Sequence, residues 1–193
     1  MSLKRTVEPI SLPVDLSDAR KQCEIGDGDD THDSHLLRLI KAATRDVERQ
    51  TRRALISQTW VLKLEEFPEE IKIPRPPLQS LSIQYVDDNG TTQTLAGSEY
   101  QIEDGTPACV EPAFGKAWPV TRPETSNAVI VIFVAGFGSI PSDVPAEYQN
   151  VILELVAFRF FNRGDEAAGL PNHIQWALKS LHCGAKYGYY GVQ

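Results

Sequence analysis

The chain has 193 residues, a net charge of -7 and 41% hydrophobic residues, which suits one domain or two small lobes that bury a core without staples. Cys23, Cys109 and Cys183 are an odd number with no Cys-x-x-Cys spacing, so a disulfide framework and a zinc ribbon are both disfavoured and reduced thiols are expected. An acidic chain gains nothing overall from counterion release on duplex DNA, and no apolar run reaches the roughly 20 residues of a membrane span.

The first segment, Met1 to Pro13, carries Lys4 and Arg5 but lacks the apolar stretch of a secretory signal, so a cytoplasmic location is expected. Ser17 is a candidate N-cap for a short helix running to about Ile25, which the loop Gly26-Asp27-Gly28-Asp29-Asp30 ends. A second helix follows, because Leu36, Leu37, Ile40, Ala43 and Val47 recur at helical spacing, with Asp33 or Ser34 as cap. This helix is locally basic: Arg38, Lys41, Arg45, Arg49, Arg52 and Arg53 outweigh Asp46 and Glu48. Arg45, Arg49 and Arg52 stand at i, i+4 and i+7 and share a face. The plain reading of that face is a solvated surface; the sharper one is a subunit-facing or phosphate-contacting surface that includes Arg53.

From Ile56 the period changes to two, with Trp60, Leu62 and Leu64 alternating with Val61, Lys63 and Glu65. Leu81, Ile83 and Tyr85 alternate before Asp87-Asp88-Asn89-Gly90, and Thr91 to Leu95 returns, which predicts a hairpin because Asn-Gly tolerates positive φ. Tyr100 to Glu103 and Cys109 to Glu111 are weaker strand candidates. Prolines 74, 76, 77, 107, 112, 119 and 123 favour edges and turns over a long regular sheet. The run Val129 to Val134 is a strand, and Gly136-Phe137-Gly138 turns it towards Pro141 and Pro145. Between Val151 and Phe161 only Glu154 and Arg159 are polar, so the helix there has no solvent-facing stripe; it is either central to one core, the favoured reading, or a subunit contact. Gly164 ends it. A last helix spans about Pro171 to His182, burying Ile174, Ala177, Leu178 and Leu181 with Trp176 to one side.

The expected fold is therefore α+β: a bundle of helices from both chain ends with a β-rich inserted region. The expected parts are 1–55 as the N-terminal helical part, 56–138 as the β-rich insert, 139–184 as C-terminal helices packing on the N-terminal ones, and 185–193 as a flexible tail. No internal repeat or low-complexity segment interrupts this order.

Catalytic chemistry is not legible. Gly136-Phe137-Gly138-Ser139 is neither a nucleophile elbow nor a dinucleotide loop, and no Gly-Lys-Ser or Gly-Lys-Thr cradles a phosphate. His32 and His35, near Asp29, Asp30 and Asp33, have the spacing of metal ligands, but the loop lacks the glycine and closing glutamate of a calcium site. An acidic, capped loop accounts for them. His182 and Cys183 have no partner pair nearby. No enzyme activity, metal or cofactor is expected.

Three separated motifs carry a resemblance. Arg53-Ala54-Leu55-Ile56-Ser57-Gln58-Thr59-Trp60, Pro74-Arg75-Pro76-Pro77-Leu78-Gln79-Ser80-Leu81, and Phe133-Val134-Ala135-Gly136-Phe137-Gly138 followed by Val144-Pro145 occur in this order. Over about residues 10 to 180 the chain resembles the head-tail connector (neck adaptor) proteins of tailed bacteriophages and prophages, in the branch often labelled possible DNA-packaging protein. The resemblance implies a structural protein of the virion neck, made in the bacterial host cytoplasm. Its members form a ring of about a dozen subunits under the portal, with heterologous interfaces closed by rotation. The implied partners are the portal protein, the next neck or tail-completion protein, other copies of itself, and DNA that passes through the channel without tight binding. A membrane is not among them.

In related connectors the carboxyl-terminal segment reaches the portal. Here the final helix lacks the family's closing proline, aromatic and arginine and continues into glycines that separate Tyr187, Tyr189 and Tyr190. Those tyrosines are the candidate portal contact, and a disordered end is the alternative. The competing function is a nucleic-acid-binding packaging accessory that uses Arg45, Arg49, Arg52 and Arg53 against phosphates.

Overall fold

A computed structural model describes residues 1–26, 28–162 and 169–187, with side chains as far as residue 181. In chain order the elements are β1 (Ser2–Val7), α1 (Leu16–Gln22), α2 (Asp33–Thr51), β2 (Gln58–Leu64), β3 (Ile71–Ile73), β4 (Leu78–Val86), β5 (Thr92–Thr94), β6 (Tyr100–Glu103), β7 (Ala108–Pro112), β8 (Val129–Ala135), a 3-10 turn (Pro141–Asp143), α3 (Ala146–Phe161) and α4 (Asn172–Tyr187). The fold is α+β. One compact unit combines Met1–Pro9 with Ser57–Gly136, and the other combines Ile10–Ile56 with the chain from Phe137 onward.

The β unit holds a five-stranded antiparallel sheet in the order β1-β2-β8-β4-β5. Its centre is β8, because a run of β-branched and aromatic residues buries well on both faces. Val129, Val131, Phe133 and Ala135 are buried, and the alternate residues Ile130, Ile132 and Val134 are half-buried. Register places Leu62 and Ile83 on either side of Val131, so three buried side chains cross the sheet in one row. The expected hairpin joins β4 to β5. Gly90 takes φ 83°, and the Asp87 carboxylate accepts from Asn89 N at 3.0 Å, Thr91 N at 2.9 Å and Gln93 Nε2 at 3.0 Å. These bonds, led by that from Gln93, hold the Asp87 carboxyl below the usual carboxylate range.

A second sheet has the order β3-β7-β6. Both weaker strand candidates exist as β6 and β7. No periodicity foretells β3, since three residues before Pro74 are too few to show one. Near this sheet Phe67 stacks on Trp118 with centroids 4.8 Å apart, and Trp118 Nε1 donates to the Glu69 carbonyl at 3.3 Å.

One boundary needs correction. The helical part expected over 1–55 does not hold Met1–Pro9, because Ser2–Val7 pairs antiparallel with β2 and belongs to the β unit. Ser-Leu-Lys-Arg-Thr-Val has no apolar stripe, because an edge strand needs backbone pairing on one side only.

The helical unit is built on one core. Leu36, Ile40, Ala43 and Val47 of α2 meet Ile152, Leu155 and Val156 of α3 and Ile174 and Leu178 of α4. The first helix is shorter than expected. It starts after Asp15 rather than Ser17 and ends at Gln22, where Ile25 N donates to Arg20 O at 3.0 Å and Glu24 N to Lys21 O at 3.1 Å with Glu24 at φ 57°. This is a Schellman closure, carried here by a glutamate instead of glycine. Arg20 then grips both oxygens of Asp33 at the start of α2, which raises the guanidinium pKa further. The last helix runs through Tyr187, past the expected end at His182 and into the segment expected as a tail. No helix among the described residues is long and apolar enough to cross a membrane.

Candidate functional site

The candidate basic face sits on the C-terminal half of α2. Arg45 and Arg49 are both exposed and lie one helical turn apart. Arg49 Nη2 donates to Asp46 Oδ1 at 2.8 Å, so part of its charge is already answered on its own helix. The other oxygen of Asp46 takes Arg159 of α3 at 2.5 Å. A carboxylate thus stands in the middle of the arginines and joins two helices.

Arg52 and Arg53 do not extend that face as helical spacing predicts. The helix ends at Thr51, and Arg52 is its cap in the left-handed region at φ 56°. The physical reason lies downstream: Ala54, Leu55 and Ile56 are all buried, so the chain must turn inward at once. Leu55 N donates to Glu48 Oε1 at 3.0 Å, which fastens the turn to the helix it leaves. Arg52 remains exposed, whereas Arg53 is half-buried, and its Nε finds no hydrogen-bond partner among the described residues. Burial raises the Tyr148 hydroxyl pKa, and the nearby Arg53 charge opposes that rise. Of the four arginines, two share the helical face, one caps it and one turns inward.

The apolar helix α3 has two unlike sides. Tyr148, Val151, Ile152, Leu155 and Val156 follow i, i+3, i+4, i+7, i+8 and are buried in the core. Leu153, Ala157 and Phe160 are only half-buried, and Phe161 is 60% exposed. Leu153, Ala157, Phe158 and Phe160 still pack against the same core, so among the described residues α3 is covered round most of its circumference, with Phe161 its exposed large apolar side chain. In α4, Ile174 and Leu178 are buried, Ala177 and Leu181 half-buried, and Trp176 is 72% exposed, as the periodicity indicates. Tyr187 is the last residue of that helix, and Tyr189 and Tyr190 lie outside the described residues.

The histidine and aspartate cluster is engaged in packing, an ion pair and a local turn, and the N-cap of α2 is His32, without a side-chain cap bond, instead of the expected Asp33 or Ser34. His32 meets Phe160 edge-on with centroids 5.4 Å apart, and His35 meets the same ring at 6.0 Å. Asp33 is held by Arg20, and Asp29 Oδ1 accepts from Thr31 N at 2.9 Å, with its carboxyl held low by its hydrogen bonds to Thr31. No group of three or more metal-binding side chains occurs among the described residues.

The quoted motifs are fastened within each unit by short hydrogen bonds. Gly136 N donates to Pro77 O at 2.9 Å, and Gln79 Nε2 donates to Gly136 O at 2.8 Å and to Ser57 Oγ at 2.9 Å. Phe137 N donates to Leu55 O at 2.9 Å, and the Phe137 ring lies 5.5 Å from that of Tyr148. Asp143 Oδ2 accepts from Ile140 N at 3.1 Å, fixing the approach to α3. A second cluster that sequence reasoning missed is in the β unit, where Arg5 and Arg75 lie over Trp60 at 5.8 and 5.4 Å from its centroid. Residues so far apart in the chain leave no local signal.

Protein-family models give no match to this chain, and neither do curated proteins. Solved structures do. The chain is similar to one in the neck of an empty gene transfer agent (GTA) particle computed with C6 symmetry, with a TM-score of 0.79 and 23% identity over 94% of this chain and 95% of that one. It is similar to a chain in the virion of a native GTA particle, with a TM-score of 0.77, 23% identity, and 94% and 95% covered. It is also similar to a chain in the neck of a native GTA particle computed with C12 symmetry, at 0.75, 23%, and 94% of both. At this identity the likeness establishes the fold, over nearly the whole of each chain.

Proposed function

We propose that this protein is a structural head-tail connector: a subunit of a ring under the portal of a phage-like particle, extending the DNA channel and joining head to tail. The observation that carries the reading is the end-to-end likeness of fold to chains from GTA necks computed with C6 and C12 symmetry. Two features of the chain support it. The half-covered side of α3, ending at exposed Phe161, and exposed Trp176 on α4 offer apolar surface that a neighbouring subunit would cover. The net charge of -7 suits a wall along which DNA slides without being gripped. In this reading Tyr187, Tyr189 and Tyr190 contact the portal, the opposite end of the ring meets the next neck protein, and the chain stays monomeric in the host cytoplasm until the portal templates it.

The test is negative-stain imaging of this protein mixed with the portal protein of the same particle, with this protein alone as control. A second ring stacked on the portal is the expected result. Portals that stay bare beside a folded, monomeric chain overturn the reading.

The exposure of Arg45 and Arg49 on one face favours one alternative, a DNA-binding packaging accessory. Replacing both by glutamate separates the two. An accessory loses duplex affinity and about 2 units of salt slope; a connector shows weak DNA binding before and after the change.

A further inference from the structure

The β unit exposes two strand edges of opposite charge. In β1, which borders the larger sheet, Ser2 lies opposite Lys63 of β2, so Lys4 and Lys63 share one face at that edge. Neither forms an ion pair among the described residues, and Ser2–Val7 contains no acid. In β6, which borders the smaller sheet, Gln101 lies opposite Glu111 of β7 and Glu103 opposite Cys109, so Glu103 and Glu111 share a face. These two carboxylates and Asp104 also lack an ion pair among the described residues, and Glu103 and Glu111 line an open groove with Gln101 and Ile102. On the other face of β6, Ile102 is 46% exposed.

We propose that β1 of one copy pairs edge to edge with β6 of a second copy, a contact that deepens the connector reading and rests on it. The faces match: with Lys4 and Lys63 on the side of Glu103 and Glu111, alternation puts Leu3 on the side of Ile102. The remaining open edges offer less. The β5 edge, Thr92–Thr94, carries no charge, and β3 has three residues. Charged edges usually guard against strand addition, and here they guard selectively. A β1-to-β1 contact would bring Lys4 towards Lys4, and a β6-to-β6 contact Glu103 towards Glu103, so each edge rejects its own kind. What remains is a heterologous contact using two different surfaces, the type that builds a ring when the rotation closes.

The test is zero-length carbodiimide coupling of lysines to carboxylates in an equal mixture of isotopically light and heavy full-length chains with the portal protein, imaged in parallel. Mixed light-heavy peptides joining Lys4 or Lys63 to Glu103, Asp104 or Glu111 are expected. Lys4→Glu and Glu103→Lys should each lower their yield about tenfold, and the double exchange should restore it. Both positions are exposed, so thermal melting should be unchanged. Stacked rings without mixed links at these positions overturn the edge pairing and leave the connector reading standing. A chain that stays monomeric beside bare portals, with no mixed link, overturns both.

Discussion

Asp46 of α2 accepts a hydrogen bond from Arg159 of α3 at 2.5 Å while its other oxygen takes Arg49 at 2.8 Å. One carboxylate therefore ties two helices and tempers the basic face. Asp46 and Arg159 are both partly buried, so Asp46→Ala should cost about 1 kcal/mol, more than a free surface pair contributes. Urea unfolding measures it, and an unchanged midpoint would show that the pair adds nothing.

The two sides of α3 should respond differently to truncation. Ile152 is fully buried, so Ile152→Ala should lower stability by about 2–5 kcal/mol through lost contacts and the cavity left behind. Phe161→Ala removes a largely exposed ring and should stay within about 0.5 kcal/mol; on the connector reading proposed above it should also reduce ring formation on the portal. Equal losses of stability would mean that both sides of the helix are core.

Gly138 stands against Asp143. A methyl group there would meet the Asp143 carboxylate oxygen at 2.0 Å and its Cβ at 2.4 Å, so Gly138→Ala must displace the residue that receives Ile140 N–H. A loss of about 1–3 kcal/mol is expected from this overpacking, read as a lower melting temperature. A variant that melts with the parent would show that the 3-10 turn yields freely.

Burial pushes the Cys109 thiol up to about 11 from 9.0. At pH 8 its thiolate is about a hundredfold scarcer than an ordinary one, so peptide mapping should find alkylation slowed by at least that factor. The sign for stability follows from the neutral form being favoured in the fold. That contribution is fully present below pH 9 and is lost as pH rises towards about 11. Alkylation at the rate of a free thiol would show that the site opens readily.

Much of the fold is legible in the sequence where the signal is local. The β8 run, the Asp87 to Gly90 hairpin and the spacing of Leu36, Ile40, Ala43 and Val47 each appear as expected. Their causes act over a few residues: side-chain alternation, a tolerated positive φ, and one turn of helix. Boundaries set by backbone closure are less visible. Ile25 is apolar and helix-compatible, yet Glu24 takes the left-handed conformation because Ile25 N and Glu24 N close back on α1.

The candidate site divides in the same way. Helical geometry alone dictates that Arg45 and Arg49 lie one turn apart, that α3 is too apolar to have a polar stripe and that Ile174 and Leu178 face inward, so the order of residues suffices for each. The packed fold sets the rest: that Arg52 caps while Arg53 turns inward, that Asp46 reaches Arg159, which side of α3 is only half-buried among the described residues, and that Ser2–Val7 is a strand. Each of these depends on partners far along the chain: Ala54 to Ile56 entering the core, a carboxylate meeting an arginine 113 positions away, and an edge supplied by β2. Periodicity records the faces an element presents, whereas the choice of what covers each face is made by residues that no local window contains.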